Sequence, residues 1–198
     1  MRNPYSIGLL FELSKPGCGG AVLRWLNPRR AIPVTMWLYT AVAGDFYIDG
    51  AEPPSATPLL APGRHVIGIH LPEADLAFGL LLFAAFTTGK EIRVKRSGAP
   101  IPDFRTLSVA DGSWKYTTAK PGDHWNQSDF DDSPWAPMIE KELLKPAKDD
   151  WSTSYRYKRV AETGARGLGI ELRVRISWTR KKEVWVRKAL VIPEPESR

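Results

Sequence analysis

The stretch Ile170-Glu171-Leu172-Arg173-Val174-Arg175-Ile176-Ser177-Trp178 carries an apolar residue at every second position, with charged or polar residues between. Period two is the repeat of an extended strand, whose successive side chains point to opposite faces. This run therefore reads as a half-buried strand with one wet face. Thr179-Arg180-Lys181-Lys182 follows as a polar turn. Val184, Val186, Leu190 and Ile192 then continue the inward set, with Lys188 as the exception. The two runs predict an antiparallel hairpin.

The same period recurs upstream. Ile92 and Val94 alternate with Glu91, Arg93 and Lys95. Val34 to Thr40 is a run of β-branched and aromatic residues that favours a strand. Ala43-Gly44-Asp45 is expected as a tight turn and Phe46-Tyr47-Ile48 as the return strand, ending at the turn dipeptide Asp49-Gly50. A loop with Pro53, Pro54 and Pro58 leads to a second turn, Ala61-Pro62-Gly63-Arg64, and then to a strand from His65 to Leu71 with apolar groups on both faces. Gly79 to Phe86 reads as a further buried strand. Ala99 to Lys120 is expected to connect the two halves of a sandwich. The helix candidate is Met138 to Leu144, where Ile139, Leu143 and Leu144 allow about two turns. Together these elements predict an all-β fold, an antiparallel β-sandwich with at most one or two short helices, in a single domain over residues 1–198.

Composition agrees. The chain has 198 residues, 43% hydrophobic and 25% charged, values of an ordinary globular protein rather than a disordered one. One cysteine, Cys18, permits no internal disulfide, and no base can be placed beside it as a catalytic thiol requires. The apolar run Leu76 to Phe86 is far shorter than the roughly 20 residues of a membrane-spanning helix. The N-terminal run Ile7 to Phe11 is too short for a signal-peptide core. A cytoplasmic location is expected from this, or an extracellular one if the segment was cut from a longer exported chain. Charge is uneven. Asp123 to Asp150 holds eight acidic and three basic residues, a net of −5; Arg156 to Lys188 holds eleven basic and three acidic, a net of +8.

Two groups of residues resemble a known family. The first is the pair of strands from Val34 to Ile48 closing on Asp49-Gly50, followed by Ala61-Pro62-Gly63-Arg64-His65-Val66-Ile67. The second is Ala110-Asp111-Gly112-Ser113-Trp114-Lys115, with Phe130-Asp131-Asp132-Ser133-Pro134-Trp135 downstream. Their order resembles the galactose-binding-domain-like jelly rolls that accompany bacterial glycoside hydrolases of the α-L-rhamnosidase and β-galactosidase types. Asp49 stands where that pattern usually has Asn, and both residues tolerate the turn. The resemblance covers pieces of residues 34 to 137. It implies a jelly-roll topology and a non-catalytic carbohydrate-binding or accessory module.

The residues of the second group carry their own physics. Asp131, Asp132 and Ser133 can cap backbone N–H groups of the following turn. Trp114 and Trp135 are expected in the core as neighbours, since indole rings bury large areas. Trp125 differs, because it lies in the loop Lys120-Pro121-Gly122-Asp123-His124-Trp125-Asn126-Gln127. A loop Trp can stack on the apolar face of a pyranose while neighbouring polar groups bond its hydroxyls. The candidate ligand-binding residues are therefore Trp125, His124, Asp123 and Asn126, with Gln127 as a further amide; the bland alternative is that Trp125 plugs one end of the sandwich.

Other chemistry is poorly represented. No phosphate loop, His-x-x-x-His pair or metal-spaced cysteine set is present, so no catalytic residue and no cofactor is assigned. Asp129, Asp131 and Asp132 offer hard oxygen ligands for a structural calcium, with turn capping the simpler role. The expected partner is a carbohydrate or another protein or domain, not a membrane. Two other functions remain open. One is an intracellular interaction or scaffold sandwich. The other is polyanion binding by the basic C-terminal hairpin, with Arg173, Arg175, Arg187 and Trp185 on one face, although a modest +6 net charge makes nucleic acid the weaker partner.

Overall fold

A computed structural model of the chain describes residues 31–40, 42–75, 80–87, 105–142, 161–170 and 181–194. They form twelve strands: β1 (Ile32–Pro33), β2 (Thr35–Thr40), β3 (Asp45–Ile48), β4 (Leu59–Leu60), β5 (Gly63–Asp75), β6 (Leu80–Thr87), β7 (Arg105–Leu107), β8 (Trp114–Thr117), β9 (Ala136–Pro137), β10 (Ile139–Lys141), β11 (Gly167–Gly169) and β12 (Lys181–Ile192). Every pairing is antiparallel. The first sheet runs β10-β11-β6-β2, with β7 also on β6; the second runs β3-β5-β12-β8-β9; β1 and β4 make a small ribbon. The all-β antiparallel sandwich expected from the period-two runs is the observed architecture. Among the described residues, no helix is long and apolar enough to cross a membrane.

The core lies between the two sheets. Met36, Leu82, Ala84, Phe86 and Leu168 come from the first; Phe46, Ile48, Ile67, Ile69, Leu71, Trp114, Val184, Val186, Leu190 and Ile192 come from the second. Phe86 bridges the layers, its ring centroid 6.4 Å from Phe46 and 6.3 Å from Trp114. The Trp114 indole N–H, which must find an acceptor once buried, donates to the Leu107 carbonyl at 3.0 Å. Ser108 makes the same kind of repair at the edge of β6. Its hydroxyl accepts from the Ala84 N–H and donates to the Arg166 carbonyl, so a fully buried polar group is satisfied.

Turn chemistry follows the sequence closely at Asp49-Gly50. Both residues have positive φ, 50° and 85°, and Ile48 and Ala51 exchange two hydrogen bonds of 2.8 and 3.0 Å. This is the two-residue primed turn that Asp-Gly favours. Asp49 then reaches across to β5, accepting from the Val66 N–H at 2.8 Å and meeting His65 Nδ1 at 2.6 Å.

Two expectations are corrected. Phe46-Tyr47-Ile48 is not the return strand of Val34 to Thr40: β2 pairs with β6 in the first sheet and β3 with β5 in the second. The turn between them is a corner from sheet to sheet. At Gly44 the chain passes so close to β5 that a Cβ would lie 2.3 Å from the His70 carbonyl oxygen. The first run of the expected C-terminal hairpin lies, from Glu171 on, outside the described residues. β11 belongs to the first sheet, and β12 is flanked by β5 on one edge and, over Trp185 to Lys188, by β8 on the other. Finally, Ile139 to Lys141 is a strand on β11, not the start of a helix. The connection over Ala99 to Lys120 does cross the sandwich in its described part, since β7 lies in the first sheet and β8 in the second. Cys18, the Ile92 and Val94 strand, Leu143, Leu144 and residues 171–180 lie outside the described residues.

Candidate functional site

β12 supplies alternate residues to two faces. Val184, Val186 and Leu190 point into the core, so Trp185 and Arg187 must point to the outer face of the second sheet. Across the ladder, Trp185 is opposite His70 on β5 and Thr117 on β8, and Arg187 is opposite Gly68 and Lys115. That face is covered by the loop that follows β8.

The cover is held by Arg187, whose side chain is 1% exposed. Its Nε donates to Asp132 Oδ2 at 3.0 Å, one Nη to the carbonyls of Gln127 (2.9 Å) and Trp125, and the other to the Phe130 carbonyl at 3.2 Å. The guanidinium also lies 5.1 Å from the Phe130 ring centroid. Lys115 Nζ adds a bond to Asp132 Oδ1 at 2.9 Å. A buried guanidinium is tolerated when its fork of donors is matched in this way. For Asp132, burial works to raise the carboxyl pKa, but the hydrogen bonds from Lys115 and Arg187 outweigh it and hold the group below its usual value.

Arg187 was expected on a solvated basic face; it is buried and its donors are turned inward, so it offers nothing to a polyanion. Arg173 and Arg175 lie outside the described residues. Trp185 shares the outer face with Arg187 as parity predicts, but it is buried and stacked on the His70 ring (centroids 5.0 Å apart, planes at 13°).

Trp125 is half-buried. The edge of its six-membered ring rests on β5 where there is no side chain: a Cβ on Gly68 would lie 3.1 and 3.2 Å from Cζ3 and Cη2. Tyr47 meets it edge-on at 5.9 Å, and Trp135 stacks on it at 6.2 Å. Phe130 closes the group against Trp135 at 5.8 Å. Trp135 is thus the neighbour of Trp125 outside the sheet. Trp114, 1% exposed, packs inside it, so the expected Trp114 and Trp135 pair is replaced by two separate aromatic groups. Asp131 caps as expected, accepting from the Ser133 N–H at 2.9 Å and from its hydroxyl at 3.1 Å. Asp132 is committed to Lys115 and Arg187. Among the described residues no group of three His, Cys, Asp or Glu could hold a metal ion.

The loop and sheet leave a concave surface, a depression of about 420 Å³ lined by Lys120 to Asn126 and by Trp185. All four candidate residues lie on it. Asp123 and His124 are exposed; Trp125 and Asn126 are half-buried. His124 adopts a left-handed φ of 65°, and its Nδ1 lies 2.8 Å from Gln127 Nε2. Gln127 turns toward Gly50, where a Cβ would lie 3.0 Å from its Cγ, and does not line the depression. Four contributors were missed: Lys120, Pro121, Gly122 and Trp185. The parity of Trp185 on β12 was the available signal for that residue; its register against β5 was not readable from the chain alone. Comparison with family models, with curated proteins and with solved structures finds no match for this chain.

Proposed function

We propose that the protein is a non-catalytic carbohydrate-binding or accessory module of the galactose-binding-like jelly-roll kind, and that its ligand sits in the Lys120 to Asn126 depression. The observation that carries this reading is the convergence of Asp123, His124, Trp125 and Asn126 with Trp185 on one concave surface. Such a surface joins apolar indole walls to a few polar groups, the combination that orients a sugar ring. The all-β sandwich and the contact of Asp49-Gly50 with the strand after Pro62-Gly63 support the resemblance that suggested it.

Binding by a shallow, water-exposed site is weak, because each sugar hydroxyl exchanges water for protein at a net gain of about 1 kcal/mol. A monosaccharide is expected at Kd near the millimolar range, about −4 kcal/mol. The test is a glycan screen followed by titration of tryptophan fluorescence. Asp123→Ala and His124→Asn are the informative variants, since both side chains are exposed and Asn tolerates the left-handed φ of position 124. Each is expected to weaken binding several-fold without moving the denaturation midpoint. A blank screen, or affinity unchanged in both variants, overturns the assignment.

A further inference from the structure

Beside the depression lies a histidine whose two ring nitrogens face carboxylates from two different strands. His70 of β5 stands opposite Asp45 of β3 in one ladder and opposite Trp185 of β12 in the other. Its Nδ1 lies 3.1 Å from Asp45 Oδ2, and its Nε2 lies 3.8 Å from Glu183 Oε2. An ionised carboxylate only accepts, so Nδ1 carries the hydrogen and donates it. Nε2 is buried and finds no hydrogen-bond partner among the described residues. The ring stacks on Trp185, with centroids 5.0 Å apart, and Trp185 in turn lines the depression.

In the neutral ring, Nε2 presents a lone pair beside a carboxylate that also only accepts, and the 3.8 Å gap stays open. In the imidazolium both nitrogens are donors, one for each carboxylate, and the cation lies against the indole face. The ladder leaves Glu183 room to respond. It slips at this residue, where Pro72 and Glu73 of β5 stand against Glu183 alone. Other charged groups surround the pair. Tyr47 is the next outward residue of β3; burial, Asp45 and Glu52 push its phenol above the usual value, so it keeps its proton through neutral pH. Lys182 flanks Glu183 on β12, and Lys120, Asp123 and His124 come from the loop that shares the depression with Trp185. His124 is the second imidazole here, with its Nδ1 2.8 Å from Gln127 Nε2.

We propose that His70 is a proton switch for the wall of the depression. Protonated, it ties Asp45 and Glu183 together and clamps the Trp185 indole against its ring. Neutral, it releases Glu183 and leaves the indole free to shift. The depression is thus pre-formed in mild acid and loosened in mild base. A role for the switch in tuning ligand affinity rests on the carbohydrate reading above; the switch itself does not.

The experiment uses the full chain without ligand, with nitrogen-15 in its tryptophans, between about pH 5.5 and pH 8, where an imidazole ordinarily changes charge. The Trp185 indole resonance is the one absent from Trp185→Phe. Its hydrogen-exchange protection is measured relative to free tryptophan at each pH. Protection is expected to be at least about threefold higher at the acid end, the low end of what a cation on an indole face contributes. His70→Gln is expected to abolish this dependence, and His124→Asn to leave it in place. Glu183→Gln, at an exposed position, is expected to weaken it and tests the same link should His70→Gln fail to fold. Protection indifferent to pH while the His70 ring titrates would leave only passive stacking and overturn the proposal. So would a dependence that survives His70→Gln, disappears in His124→Asn or ignores Glu183→Gln. No ligand enters the measurement, so a blank glycan screen bears on the sugar reading alone.

Discussion

On the inner face of β12, Val184, Val186, Leu190 and Ile192 meet the first sheet in an apolar layer; on its outer face, Trp185 and Arg187 meet a loop. The inner contact is non-directional and scales with area, at about 25 cal/mol per Å² of apolar surface. Any apolar residue of fitting size serves there. The outer contact is directional. Arg187 binds three specific carbonyls and one carboxylate, so it fixes the path of residues 125 to 132 as well as burying them. The inner layer therefore makes the sandwich, and the outer layer shapes the depression beside it.

The comparison is broken most directly by removing one anchor from each face. Trp114→Ala empties an inner position and is expected to cost about 3–5 kcal/mol, as truncation of core aromatics does. Arg187→Ala takes the donor from three carbonyls and one of two donors from Asp132, which keeps Lys115, and buried acceptors left unpaired cost about 1–3 kcal/mol each, a loss of similar order. Trp125→Ala removes a half-buried ring and should cost less, about 1–3 kcal/mol. Denaturant midpoints rank the three. An Arg187→Ala loss below about 0.5 kcal/mol, the size of a surface substitution, would mean that the outer contact is not directional cover at all.

A sharper probe is Gly68→Ala, which touches the outer face alone. The new Cβ would stand 2.8 Å from Asn126 Cβ and about 3.1 Å from the Trp125 ring. The loop must lift, at an overpacking cost of about 1–3 kcal/mol. Trp125 fluorescence should shift red as the ring gains water, while near-ultraviolet dichroism from the Trp114 and Phe86 layer stays unchanged. A loss of both signals together would show the two faces to be one cooperative layer.

The faces were also unequally legible in the sequence. Alternation at Val184 to Ile192 and at Phe46-Tyr47-Ile48 assigns residues to a face, because period two follows from the backbone alone. It even places Lys188 inward against its polarity, and the structure agrees. Alternation does not choose a neighbour. Val34 to Thr40 and Phe46 to Ile48 look like a hairpin by proximity, yet the Gly44 corner sends them to different sheets. Asp49-Gly50 was readable because its turn is local. Arg187 was not, because the carbonyls that bury it lie some sixty residues away and carry no side-chain signature. Trp125 was placed correctly in a loop; that Gly68 makes room for its ring depends on a strand more than fifty residues earlier.

The smallest expected effect separates two contacts by pH. Asp132 has a folded pKa below its unfolded value, so its contribution is complete above the unfolded carboxylate range and is lost as pH falls through the lower folded value. His65 runs the other way. Burial lowers its pKa, but the Asp49 carboxylate and the Ala61 carbonyl, 2.6 and 2.7 Å from its two ring nitrogens, outweigh that and raise it above 6.5. Both neighbours are acceptors, and only the doubly protonated imidazolium has a donor for each. Its contribution is complete below pH 6.5 and is lost as pH rises through the folded value. Acid should therefore loosen the outer loop, and mild base the Asp49-Gly50 turn beside β5. Denaturant midpoints measured from pH 3 to pH 9 should show both limbs. Asp132→Asn is expected to flatten the acid limb and His65→Gln the basic one. A basic limb that persists in His65→Gln would assign it to another group and detach the turn from the titration.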